Sequence, residues 1–138
     1  MANVTYDENC LTVLDHPLVG HKMTILRDES TAPAHFRKLV HELAALEAYE
    51  ATRDLPTTQV QVKTPICETE GVRLKDDALA VVPILRAGMG MLEGVLSVVP
   101  SAAVGVLGME RDEETHEPHS YYAKMPQGIE NRMALVID

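Results

Sequence analysis

The chain has 138 residues, with twelve lysines and arginines against twenty-one aspartates and glutamates, for a net charge of -9. Its 46% hydrophobic and 24% charged residues carry enough apolar surface to offset the ordering entropy of folding, which excludes a disordered polymer. The acidic excess repels phosphate backbones, so no nucleic-acid partner is expected, and no apolar run approaches the roughly 20 residues that cross a bilayer, so no membrane partner is expected either.

The opening stretch MANVTYDENC has no basic segment followed by an apolar one and does not read as a secretion leader. Cys10 and Cys67 lie far apart with no CxxC spacing, which suits two reduced thiols in a cytoplasmic protein. The first thirty residues read as loop, with His16-Pro17-Leu18-Val19 as a short apolar island. Ser30-Thr31-Ala32-Pro33 is a helix start signal, hydroxyl caps followed by a proline that the first turn tolerates. Phe36, Leu39, Val40, Leu43 and Leu46 then recur at helical spacing and predict an amphipathic helix from about Pro33 to about Thr52, with Glu42, Glu47 and Glu50 on other faces. Gln59–Lys63 alternates polar and apolar residues as a half-exposed strand does, and a partner ending at Gly71-Val72-Arg73 completes a β-arm over about residues 56–75. A two-stranded arm is marginal alone, which points to a subunit partner and hence a homodimer or higher homo-oligomer.

Leu79–Leu85 is a continuous apolar run, the pattern of a strand buried on both faces. Arg86-Ala87-Gly88-Met89-Gly90 reads as a turn, and Met91, Leu92, Val95 and Leu96 as a helical stripe that stops near Pro100. Ala102–Met109 is a second buried strand, so strand, helix and strand make a parallel βαβ unit. The stretch from Arg111 to Pro118 is a charged loop, and Tyr121 and Tyr122 belong to a short strand or a lid. Met133–Ile137 is a third buried strand, followed by Asp138. So apolar a strand wants helices on both faces. The expectation is therefore a single α/β domain over residues 1–138, a parallel sheet flanked by helices, incomplete at its carboxyl end as a piece of a longer domain would be.

In open parallel sheets ligands bind beyond the carboxyl ends of the strands. Arg86, Arg111 and Asp138 follow the three strands there. Guanidinium forks suit phosphate oxygens, and a carboxylate suits ribose hydroxyls or a metal, so the three together point to a phosphorylated sugar or nucleotide. Either arginine alone is often only a solvated loop charge. Arg86 differs because Ala87-Gly88 beside it lets the backbone approach a ligand closely. His116 and His119 are separated by Pro118, which spoils a helical metal pair. Asp112-Glu113-Glu114 suits a solvated face, with a lid as the lesser alternative. Met89, Met91 and Met109 suit packing.

The stretches HPLVGHKMTILRDEST (16–31), FRKLVHEL (36–43), YEATRDL (49–55), VVPILRAGMGMLEGVLSVVPSA (81–102), GMERDEETHEP (108–118) and RMALVID (132–138) resemble the amino-terminal two-thirds of the uracil phosphoribosyltransferases. The resemblance implies a type I phosphoribosyltransferase-like fold and a reaction of uracil with 5-phospho-α-D-ribose 1-diphosphate (PRPP) that yields UMP and diphosphate, with Mg2+ on the pyrophosphate. It implies that Arg86 belongs to the pyrophosphate-binding turn, that Arg111 contacts PRPP and that Asp138 binds ribose hydroxyls. It further implies a cis non-proline peptide in the turn, expected at Arg86-Ala87, and GTP as an activator, at a site that maps onto no individual residue here; separately, His21, Lys22 and Arg27 suit an effector or subunit contact. In the family a glycine- and threonine-rich phosphate cradle and a uracil-binding segment follow that aspartate; neither is in this sequence, so these 138 residues alone are expected to be inactive. Two other readings stand beside this one: a PRPP- or nucleotide-sensing regulator of the same fold, and a structural piece that mediates dimerisation.

Overall fold

The computed structural model describes residues 11–138; Cys10 and the rest of the opening stretch lie outside the described residues. The first element corrects the expectation of a loop: Pro17–Leu26 is a helix, α1. Its start is set by His16, whose Nδ1 accepts the Leu18 N–H at 3.1 Å, and by Pro17 in the first turn. No α1 residue is buried, so there was no apolar stripe to see in the sequence. The helix is tied instead by Lys22, whose Nζ donates to Glu42 at 2.5 Å and holds that carboxyl below its usual range.

The predicted long helix is α2, Pro33–Ala51. It buries Leu39, Leu43, Ala44 and Ala48, while Phe36 is 44% exposed and lies off the buried stripe. The expected hydroxyl cap is also corrected. Thr31 Oγ1 donates back to the Ile25 carbonyl at 2.6 Å and closes the α1–α2 turn, and Ala32 precedes α2 without a side-chain cap.

Strands β1 (Thr57–Lys63) and β2 (Glu68–Leu74) form an antiparallel hairpin, from Thr57 opposite Leu74 to Lys63 opposite Glu68. None of its paired residues is buried. The main sheet begins with β3 (Leu79–Leu85), whose first five residues are fully buried, and continues through α3 (Met89–Val98) into the second parallel strand. That strand is split at Gly105 into β4 (Ala103–Val104) and β5 (Val106–Arg111). The register shows one line: Ala80 lies beside Ala103, Val81 beside Val104, Ile84 beside Leu107 and Leu85 beside Gly108. At the break, Met125 Sδ stands only 2.9 Å from where a Gly105 β-carbon would be, so glycine leaves room for the chain that crosses it.

Tyr121 and Tyr122 lie in β6 (Pro118–Lys124), which pairs antiparallel with β5 and makes the sheet mixed at that edge. The last strand, β7 (Met133–Ile137), runs parallel on the other side of β3, from Leu79 beside Met133 to Pro83 beside Ile137. The line is thus β7, β3, β4/β5, β6. Residues 125–132 pass between the two edges, with a 3-10 turn at Ile129–Asn131. At the foot of β7, Arg132 is ion-paired with Asp77, and the Met133 N–H donates to the Ala78 carbonyl at 3.0 Å. Between the sheet and α2 and α3 lies the core of Ala44, Ala48, Leu79, Val81, Val95 and Ile137. Alternation along β3 turns Ala80 and Val82, also buried, to the opposite face.

Candidate functional site

The three singled-out residues all leave the sheet at its carboxyl end. Pro83 is beside Ile137 and Leu85 beside Gly108, so Asp138 stands level with Ile84, and Arg111 lies three residues past Gly108. At about 3.3 Å per residue and 4.8 Å between strands, Asp138 and Arg111 flank the turn that Arg86 opens, each within about 10 Å of it along the backbone. All three are exposed, and among the described residues none of them forms an ion pair. They do not share one enclosed cavity. Asp138 borders a cavity of about 250 Å3 between α2, α3 and β7, whereas Arg111 borders an open concavity with Glu110, Asp112 and His119.

The turn after β3 is built by backbone contacts. The Gly88 N–H donates to the Ile84 carbonyl at 2.9 Å, Met89 N–H to Arg86 at 3.2 Å and Gly90 N–H to Ala87 at 3.0 Å. Gly88 is buried with its α-carbon against the Ile137 carbonyl, so close that no side chain fits between. That contact seats the Arg86 turn against the end of β7, next to Asp138. The cis non-proline peptide is at Leu85–Arg86, one bond earlier than expected.

Arg111 ends β5 opposite Pro118. The loop beyond it is pinned by Asp112, whose Oδ1 accepts the N–H groups of Thr115 (2.8 Å) and Glu114 (2.9 Å). These two bonds, that of Thr115 first, hold the Asp112 carboxyl below its usual range. His116 sits in this turn with φ of 59°, and among the described residues no group of three metal-ligating side chains forms.

Two features were not visible in the sequence. Glu47, read there as one of several carboxylates off the apolar stripe, reaches the cavity that Asp138 borders; Ala44, Ala48, Met91, Val95 and Leu135 make the rest of that wall apolar. Partial burial pushes the Glu47 carboxyl up. A raised folded-state pKa means that the folded chain holds a proton the unfolded chain has lost, so stability falls as pH rises through the window just above 4.5. Glu47→Gln is expected to remove that loss, leaving the thermal midpoint at or above that of the parent at pH 7 and equal to it near pH 4. A midpoint lower at pH 7 than at pH 4, relative to the parent, would contradict it. The second feature is the contact of Gly88 with Ile137, which joins residues far apart in the chain and has no local signature.

The family model described as uracil phosphoribosyltransferase matches residues 13–138. A uracil phosphoribosyltransferase of Macrococcus caseolyticus (strain JCSC5402) is 54% identical over 126 residues, covering 91% of this chain and 60% of its own length. One of Paracoccus denitrificans (strain Pd 1222) is 48% identical over 128 residues, covering 93% of this chain and 61% of its own. Among solved structures, the AQ2163 protein from Aquifex aeolicus superposes with a TM-score of 0.85 at 38% identity, over 92% of this chain and 61% of that one. The chain thus spans about three-fifths of the length of the curated relatives it matches. A match that runs through all three described helices, the hairpin and every described strand up to Asp138 covers far more than one motif, and the chain belongs to the uracil phosphoribosyltransferase family.

Proposed function

We propose that this chain carries the PRPP-binding part of a uracil phosphoribosyltransferase, which joins uracil to PRPP and releases UMP and diphosphate in pyrimidine salvage. The ring nitrogen forms a bond to the anomeric carbon, the bond from that carbon to the pyrophosphate oxygen breaks, and the nitrogen's proton is lost. Charge builds on the departing pyrophosphate, so the protein's task is to position it and to stabilise that charge. Arg86 takes the pyrophosphate, Arg111 a further phosphate oxygen, and Asp138 the ribose hydroxyls. The observation that carries this reading is the common register: two guanidiniums and one carboxylate, exposed and without an ion pair among the described residues, at the carboxyl edge of adjacent strands.

Magnesium would enter with the substrate, held by the pyrophosphate oxygens on the Arg86 side of the site, and would offset the charge that builds there. The proposal extends to a cytoplasmic homodimer or higher homo-oligomer with GTP as activator. Of the basic residues considered for an effector contact, Lys22 is engaged by Glu42, while His21 and Arg27 are exposed on or beside α1.

Arg86→Ala is expected to weaken Mg·PRPP binding by more than about tenfold, the worth of a charge-assisted bond, with the thermal midpoint unchanged because the side chain is exposed. Calorimetric titration reads the first and thermal unfolding the second. Unchanged affinity would remove Arg86 from the site.

A further inference from the structure

Strand β5 leaves the main sheet before it reaches Arg111. It lies beside β3 only at Leu107 and Gly108, and among the described residues Met109, Glu110 and Arg111 pair with β6 alone. Arg111 therefore rides on a two-stranded arm, a unit that is marginal by itself. At the root of that arm the pairing is irregular. Tyr122 lies opposite Gly108 and Ser120 opposite Met109, so Tyr121 is an extra residue, a β-bulge. In an unbroken register Tyr121 would stand opposite Met109 and point to the face away from Gly108. The bulge turns it over. Its ring lies across Gly108, with Cε2 2.6 Å and Cζ 2.8 Å from where a β-carbon would stand, beside Tyr122 Cβ at 2.9 Å. No left-handed backbone calls for this glycine, since among the described residues Gly128 is the one glycine of positive φ. What leaves no room for a side chain at Gly108 is the pair of tyrosines.

We propose that Tyr121 is a positioning residue for PRPP: its ring, laid across Gly108, fixes the angle of the β5–β6 arm and so holds Arg111 where it can meet a phosphate oxygen. A glycine inside a strand leaves a gap and a loose step, and an aromatic ring from the partner strand fills the gap and stiffens the step. Here that step is beside Leu85, the residue before Arg86, and three residues before Arg111. The ring thus stands between a part of the chain held by the sheet and a part held by its own hairpin. The far end is tied separately, by Asp112 accepting the N–H groups of Glu114 and Thr115. The tip has its own order, and the direction of the arm is decided at its root. The inference rests on the PRPP-binding reading of Arg111.

The parent chain and its variants are titrated with Mg·PRPP by calorimetry, and amide hydrogen exchange is followed across Met109–Arg111. Tyr121→Ala is expected to weaken binding about tenfold and to speed exchange of those amides by about tenfold. The thermal midpoint should stay near the parent value, because Tyr121 is 53% exposed and outside the core. Tyr121→Phe keeps the ring and should match the parent in both readouts. Gly108→Ala places a methyl group under the ring and should reproduce Tyr121→Ala. Added to Arg111→Ala, Tyr121→Ala should weaken binding no further, since a residue that acts through Arg111 then has nothing left to position. Parent-like affinity and exchange in Tyr121→Ala would overturn the proposal. So would an equal loss in Tyr121→Phe, which would make the hydroxyl a ligand in its own right, or full additivity with Arg111→Ala, which would mark a purely structural ring. A parent chain that takes up no Mg·PRPP would count against the catalytic reading, and exchange alone would then decide. Faster exchange in Tyr121→Ala but not in Tyr121→Phe would support the anchoring of the arm, and unchanged exchange in both would overturn it.

Discussion

Gly88→Ala is expected to lower the stability of the chain by about 3 kcal/mol and to abolish most of its affinity for Mg·PRPP, since overpacking against rigid backbone sits at the upper end of its usual cost. The backbone itself is not the obstacle: Gly88 has φ of -57° and ψ of -21°, which alanine adopts freely. The obstacle is what surrounds the missing side chain. A β-carbon there would press into the Ile137 carbonyl and stand 2.8 Å from the Ile84 nitrogen and 3.0 Å from the Ile84 oxygen, all main-chain atoms that no rotamer change can move. Either the turn lifts from β3 or the end of β7 is pushed away, and both separate Arg86 from Asp138. A thermal midpoint lower by about 10 °C, together with lost PRPP binding by titration, is the combined signature. A variant that keeps both would show that the turn and the strand end are not coupled.

Gly94→Ala is the second large effect, and two terms oppose each other in it. Alanine gains about 1 kcal/mol over glycine inside a helix. Here, however, the new carbon would meet the His41 carbonyl, and Ala44 Cβ at 2.9 Å, where α3 crosses α2. Forcing the two helices apart costs about 1–3 kcal/mol and more when backbone is involved, so the net expectation is a loss of about 1–2 kcal/mol. Gly20 supplies the internal control. It lies in α1 with nothing within 4 Å of its added carbon, so Gly20→Ala should stabilise by about 0.5–1 kcal/mol. Denaturant unfolding of the two variants should move in opposite directions; equal shifts would mean that the helix crossing is looser than its contacts imply.

What the sequence made legible was whatever leaves a local pattern. Leu79–Leu85 was readable as a buried strand because an unbroken apolar run has few other uses, and α2 because its leucines repeat at helical spacing. The strand ends followed, and with them the common edge of Arg86, Arg111 and Asp138. Helix α1 was not readable, because it buries nothing and depends on a histidine cap and on Lys22 reaching Glu42 across twenty residues. The close approach at Gly105 involves Met125, which only the folded chain brings near. Antiparallel β6 was left open because Pro118–Lys124 is exposed throughout and lacks the apolar alternation of a half-buried strand. Glu47 was read as a surface charge because a helical wheel shows which face a residue takes and not what stands opposite that face.

The hairpin of β1 and β2 has a practical consequence. Ile66 at its tip is 94% exposed, and Cys67 beside it is a free, exposed thiol. A maleimide fluorophore placed there, in a Cys10→Ser background, sits on a lever whose strands contribute no buried residue to the core. Its depolarisation would report on the hairpin from a position that leaves the core contacts untouched.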